Sequence, residues 1–196
     1  MNLIIASNNQ HKIEEIKTIL QGKFRQIYCL ADFGIDCDPE ETGKTFAENA
    51  AIKVKAVWEK VTTLPQRNDL ALLADDTGLC VDALDGRPGV NSARYAGNHD
   101  NAANRRKLLL ELDGVTNRSA HFESAVVLMY PDGTTVTACG RVDGYILQQE
   151  DGTNGFGYDC LFFCTELNKS FGTATAEEKN AISHRGRALQ QLLTKI

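Results

Sequence analysis

A chain of 196 residues with 42% hydrophobic content carries enough apolar material for one domain, residues 1–196, with a sizeable core. Its formal net charge of −5 argues against a broad nucleic-acid or membrane-binding surface, so any anion site has to be a local basic pocket. No apolar run approaches the ~20 residues needed to span a bilayer, and the N-terminus lacks a basic segment followed by a long apolar one, which points to a cytoplasmic protein. The cysteines (Cys29, Cys37, Cys80, Cys139, Cys160, Cys164) include no CxxC pair, and no two histidines stand at metal-ligand spacing. That pattern argues against structural zinc and reads the cysteines as small core residues in a reducing compartment.

In chain order, Leu3, Ile4 and Ile5 predict a strand over residues 1–6, followed by the polar run Ser7, Asn8, Asn9, Gln10, His11 and Lys12. Ile13, Ile16, Ile19 and Leu20 then recur at helical spacing up to Gly22. A helix N-terminus offers unbonded N–H groups and partial positive charge, so residues 7–12 suit an anion, with Lys12 adding a full charge. They equally suit an Asn-rich cap beside a solvated lysine. Residues 26–30 read as a second strand and residues 36–43 as an acidic loop carrying Glu41. Thr45 and Glu48 form a capping box, and Phe46, Ala50, Val54, Val57, Trp58 and Val61 continue a helical stripe that projects Lys53.

Leu70 to Ala74 predict a short strand buried on both faces and stopped by Asp75, Asp76, Thr77 and Gly78. If the sheet is parallel, two carboxylates stand at the strand end where open α/β folds bind ligands, and burying them together requires a compensating cation. A solvated turn is the plainer alternative. Residues 79–84 read as a further strand, 85–97 as a long loop with Arg87 and Arg94 able to meet an anion, and 101–112 as a helix. Period-two alternation over 119–130, the Pro131-Asp132-Gly133 turn and a return over 135–147 predict a long hairpin lobe over about 119–147, hence a cleft between lobes.

Between Gly152 and Asp159, Phe156 and Tyr158 lie among glycines as two exposed rings able to stack on a base, or as a hydrophobic plug. Thr175 and Glu178 form another capping box, Lys179 follows, and Ser183, His184 and Arg185 precede a last helix bearing Ala188, Leu189, Leu192 and Leu193. Arg185 is a rigid fork of donors suited to a carbonyl or phosphate. No triad spacing, GxSxG or P-loop is present.

Six motifs in this order resemble the inosine triphosphate pyrophosphatase family over nearly the whole chain. They are Ser7, Asn9 and Lys12; Glu40 to Gly43 with Thr45, Phe46, Glu48, Asn49 and Ala50; residues 74–79 (ADDTGL); Gly89 with residues 92–95 (SARY); residues 155–159 (GFGYD); and residues 178–186 (EKNAISHRG). The resemblance implies an α/β fold with a mixed sheet and flanking helices in two lobes around a central cleft. It implies hydrolysis of ITP, dITP and XTP to the monophosphate and pyrophosphate, with Glu41 and Asp76 holding Mg2+. Asp76 would also orient or deprotonate the attacking water, and Asp75 and Lys12 would assist. Residues 7–12, Lys53 and Thr77 would bind the triphosphate. Phe156, Gly157, Tyr158, Asp159, Lys179, His184 and Arg185 would bind the nucleoside, Phe156 stacking on the purine and His184 and Arg185 donating to its 6-keto oxygen. It further implies a homodimer, while the net charge and apolar-run lengths themselves point to a cytoplasmic protein that binds neither nucleic acid nor membrane. The alternatives are a pyrophosphatase for dTTP, UTP or modified pyrimidine triphosphates, and a nucleotide sensor without turnover.

Overall fold

A computed structural model of the chain describes residues 1–97 and 99–196. In order the elements are β1 (Asn2–Ile5), α1 (Gln10–Ile19), β2 (Ile27–Cys29), α2 (Phe46–Val61), β3 (Leu70–Val81), α3 (Asn101–Glu111), β4 (Ser119–Met129), β5 (Thr135–Ile146), β6 (Phe162–Cys164), β7 (Lys169–Ser170), α4 (Ala176–Ile182) and α5 (His184–Leu193). The strands form one seven-stranded sheet in the order β2-β1-β3-β4-β5-β6-β7. β1 runs parallel to β2 and β3, with Ile4 opposite both Tyr28 and Leu72, whereas β6 pairs antiparallel with β5 and β7. The expected α/β class with a mixed sheet is therefore what the chain adopts. Among the described residues no helix is long and apolar enough to cross a membrane.

The chain divides into two compact units, the first comprising Met1–Asp76, Ser124–Gly140 and Ala188–Ile196, the second Thr77–Glu123 and Arg141–Arg187. In the first unit, Leu3, Ile5, Ala71 and Leu73 pack with Ile13 and Ile16 of α1 and Ala188, Leu189 and Leu192 of α5. Ile4, Leu70, Leu72 and Ala74 pack instead with Ala50, Val54, Val57 and Val61 of α2. Side chains alternate along a strand, so a strand covered on both faces must be apolar throughout, and Leu3-Ile4-Ile5 and Leu70 to Ala74 are. Each buried Leu or Ile contributes ~1.5–3 kcal/mol. In the second unit Phe122 meets Phe162 edge-on at 4.8 Å within a cluster that includes Leu79, Val81, Leu108, Val142, Ile146, Tyr158 and Phe171.

Several sequence expectations need correction. The Asp-Asp-Thr-Gly run does not end a strand: β3 continues through it for twelve residues to Val81, and Leu79 belongs to the same strand, followed by a 3-10 turn over Asp82–Leu84. Aspartates stop strands by bonding their own backbone. Here Asp75 is taken by Ser124 and Lys12, and Asp76 by Asn49 and Lys53, so the local backbone is left to the sheet. Helix α1 begins at Gln10 rather than Ile13, because the Asn9 side chain accepts from the Lys12 N–H at 3.2 Å and caps it from within the polar run. The supposed open loop 85–97 holds a 3-10 segment, Gly89–Arg94, whose Ser92 Oγ accepts from Leu79 N and donates to Gly89 O. Arg87 pairs with Glu111 at 3.0 Å. The hairpin expected over 119–147 contributes to both units, with Ser124–Gly140 in the first and its remaining strand residues in the second. All six cysteines are free thiols: Cys164 is buried in the core, Cys29, Cys37 and Cys160 are half-buried against it, and the exposed Cys139 departs from the expected core role.

Candidate active site

The polar loop after β1 and the buried aspartates of β3 belong to the first unit. Ser7 Oγ accepts from Asn9 N at 3.2 Å, and Asn8 Nδ2 donates to Cys37 O at 3.1 Å, fastening the loop to the start of the acidic segment. Gln10 donates to Glu14 at 2.9 Å, and Gln10 and His11 are exposed on α1. Lys12, in the first helical turn, reaches Asp75 Oδ2 at 2.9 Å. The other oxygen of Asp75 accepts from Ser124 Oγ of β4 at 2.5 Å. Lys53 projects from α2 between two carboxylates, 2.9 Å from Glu41 Oε1 and 3.0 Å from Asp76 Oδ1. Asn49, one turn earlier on α2, donates to Asp76 Oδ2 at 3.2 Å.

Three carboxylates thus face two ammonium groups, and all are largely buried. Burial pushes the Asp76 carboxyl above its ordinary value and Glu41 adds to this, against the pull of Lys53 and Lys12. Burial works to lower the Lys53 ammonium, yet Asp76, Glu41 and Asp75 together hold it above the usual lysine range. Burial thus sets the direction for Asp76 and the surrounding carboxylates set it for Lys53, and a further cation beside the acids would favour their ionised forms. Glu41 and Asp76 already meet around a single cation, and their hard oxygen donors suit a hard divalent ion. Among the described residues no three His, Cys, Asp or Glu side chains come together to hold a metal by themselves. Mg2+ asks for less, being typically held by one or two carboxylates with substrate phosphates and waters.

The second unit assembles a different group. Asp159 and Lys179 form a buried ion pair at 2.7 Å, and Asp159 Oδ2 also accepts from Phe156 N at 2.7 Å. Gly155 has φ +72° and an added Cβ would lie 2.1 Å from that same Oδ2, so the turn before Phe156 can close only on glycine. Lys179 Nζ stands 4.9 Å and Arg185 Cζ 5.9 Å from the Phe156 ring centroid. Arg185, fully buried, donates to Thr77 Oγ1 at 3.3 Å, and His184 stacks on Phe122 at 4.7 Å. Both sit in the first turn of α5, which follows α4 after the single residue Ser183. Ser183 Oγ accepts from Gly186 N, and a Cβ on Gly186 would lie 2.1 Å from Asn180 O, so this corner also requires glycine. The expectation of two exposed rings is corrected for Tyr158: it is buried and its hydroxyl donates to Ser92 O at 2.9 Å, leaving Phe156 as the half-buried ring. Arg105 Nη1 holds the Gly157 carbonyl at 3.0 Å.

A sequence model of the Ham1 family matches residues 3–195. The chain belongs to the Ham1 family. It is 49% identical over 200 residues to a dITP/XTP pyrophosphatase of Leuconostoc mesenteroides, covering 100% of this chain and 96% of that protein. It is 47% identical to another so named from Clostridium perfringens, covering 96% and 94%. Among solved structures, the Staphylococcus aureus Ham1 protein superposes with a TM-score of 0.85 at 38% identity, covering 100% of this chain and 97% of that one. The nucleoside-triphosphatase, dITP/XTP pyrophosphatase, of Mycobacterium abscessus gives 0.74 at 40% identity, covering 98% and 99%.

Within this Ham1 chain the site residues expected from the family motifs fall into the two groups described, except that Gln10 and His11 face outward and Tyr158 is engaged in the core, while Arg87 of the 85–97 segment pairs with Glu111 outside both groups. Two members went unassigned beforehand, Ser124 and Asn49. A signal for each was present: Ser124 is the one polar residue in the buried row Ala120, Phe122, Ser124, Val126, Leu128 of β4, and Asn49 is fully buried beside Ala50 on the inward face of α2. A polar side chain on a buried stripe must find a partner.

Proposed function

We propose that this chain hydrolyses nonstandard purine nucleoside triphosphates, ITP, dITP and XTP, to the nucleoside monophosphate and pyrophosphate, in keeping with the names of its curated relatives. The observation that carries the reading is the buried set of Glu41, Asp75 and Asp76 interlocked with Lys12 and Lys53. A protein that only binds polyphosphate gains nothing by placing acids beside it.

In this reading Glu41 and Asp76 hold Mg2+, which neutralises phosphate charge and the charge that builds as pyrophosphate leaves. Lys12, Lys53, Thr77 and the Ser7 to Asn9 loop take the triphosphate. Asp76 orients the water, or accepts its proton, as its oxygen bonds to the α-phosphorus and the bond from that phosphorus to the bridging oxygen breaks. Asp75, tied to Ser124, keeps Lys12 extended toward the phosphates. Phe156 offers the purine an aromatic face, Lys179 contacts the nucleotide, and His184 and Arg185 donate to the 6-keto oxygen that adenine lacks. A site built to satisfy a polar group discriminates by ~10⁴ or more against its absence. The homodimer and a cytoplasmic location complete the reading, and the homodimer rests on the family resemblance.

The test is pyrophosphate release from ITP, XTP, dITP, ATP, GTP and dTTP, each with Mg2+ and with EDTA. Fast, metal-dependent release from the keto purines is expected. Preference for dTTP would transfer the chain to the pyrimidine class, binding without turnover would make it a sensor, and release of orthophosphate alone would overturn the reaction.

A further inference from the structure

Asn49 is fully buried, yet both ends of its side chain are spoken for. Its Oδ1 accepts from Gly43 N at 2.8 Å, and its Nδ2 donates to Asp76 Oδ2 at 3.2 Å. Gly43 stands two residues after Glu41 in the acidic segment, and Asp76 lies in β3. One short side chain therefore joins the two backbone segments that carry the carboxylates flanking Lys53.

No other residue type does this at the same reach. The position needs an acceptor for an N–H and a donor for a carboxylate about one carboxamide apart, which asparagine supplies. Aspartate would set a like charge against Asp76, leucine would leave a buried N–H and a carboxylate oxygen without this partner, and glutamine is longer by a methylene. The acidic segment is shaped to match: a Cβ on Gly43 would lie 2.6 Å from Asn49 Oδ1, 2.7 Å from Glu48 Cβ and 2.9 Å from Asn49 N. Two of those neighbours are anchored in the first turn of α2, which the Thr45 and Glu48 capping box holds in place. Glycine at 43 and asparagine at 49 fit each other.

We propose that Asn49 is a positioning residue for catalysis: it fixes Asp76 and the Glu41 segment together so that the two carboxylates are set for a divalent cation before one arrives. The inference rests on the reading that Glu41 and Asp76 hold Mg2+. Partners that orient metal-binding side chains typically contribute 10- to 100-fold to metal affinity. Asn49 touches neither the nucleoside nor the phosphates in this assignment, so its removal weakens the metal and spares nucleotide recognition.

The experiment is Mn2+ binding to the full chain by EPR, without nucleotide, for wild type, Asn49→Ala and Gly43→Ala, alongside ITP hydrolysis at varied Mg2+. Asn49→Ala is expected to bind Mn2+ at least about tenfold more weakly and to raise the Mg2+ activation constant in parallel, with KM for ITP at saturating Mg2+ changed less than about threefold. A merely structural role would lower the melting temperature and leave the metal constant where it was. A folded Asn49→Ala that binds Mn2+ as wild type does overturns the inference. Should Asn49→Ala not fold, Gly43→Ala decides, because it keeps the asparagine but its Cβ would meet Asn49 Oδ1 at 2.6 Å and so breaks the fit between Asn49 and the Glu41 segment: the same weakening is expected, and unchanged affinity overturns the inference. Wild-type protein that binds no Mn2+ overturns the metal assignment itself, a result distinct from wild type binding with both variants unaffected.

Discussion

The first unit buries an acid-rich group and the second a base-rich one. Glu41, Asp75 and Asp76 outnumber Lys12 and Lys53, whereas Lys179 and Arg185 outnumber Asp159 and gather about the Phe156 ring. Buried charge is tolerated only when it is paired or hydrogen-bonded. In the proposed reading the acid-rich group takes a cation and the base-rich group an electron-rich part of the nucleotide.

That contrast is open to attack at both ends. The largest effect expected is on turnover: Asp76→Asn should lower kcat/KM for ITP by about 10²–10⁴-fold while leaving the ratio of ITP to ATP binding near the wild-type value. An altered base preference in that variant would mean that the two groups are not separable. Arg185→Leu should do the reverse, narrowing the ITP to ATP ratio of kcat/KM by about 10²-fold with the Mg2+ activation constant unmoved, because in the proposed reading one donor to the 6-keto oxygen is lost. Removal of a lysine from either group distinguishes them by stability. Lys179→Met strands the Asp159 carboxylate and should cost about 3–5 kcal/mol, with no recovery on adding Mg2+. Lys53→Met leaves Glu41 and Asp76 facing each other, and there Mg2+ should restore much of the lost melting temperature. Equal recovery, or none in both, would erase the difference between the units.

The smallest effect concerns pH. Burial, with help from Arg141, holds His121 of the second unit below its ordinary 6.5. The unfolded chain therefore takes up a proton at this position before the folded chain does, and stability declines as pH falls from about 6.5. His121→Gln should flatten that part of the decline in denaturant midpoint, and an unchanged slope would remove His121 as its source.

Much of the molecule was legible in the residues themselves. Helix α2 starts where Thr45 and Glu48 say it should, because a capping box is satisfied within four residues of chain. The alternation of β4 and the Pro131-Asp132-Gly133 turn are equally local, and the six ordered motifs gathered most of the site residues. What local reading missed were the partners. Asp75, Asp76, Thr77 and Gly78 spell a turn to any rule confined to neighbours, yet they run through the middle of β3, since Ser124 lies 49 residues away and Asn49 lies 27 residues away. Tyr158 read as an exposed ring because its hydrogen-bond acceptor, Ser92 O, stands 66 residues off. By itself the sequence determined the class of fold, the caps and the residue types of the chemistry, all of which depend on propensity and periodicity within a few turns of chain. Only the tertiary structure decided which carboxylate meets which ammonium and which ring is left to meet a ligand, because a buried polar group takes whatever partner the packing of distant segments brings to it.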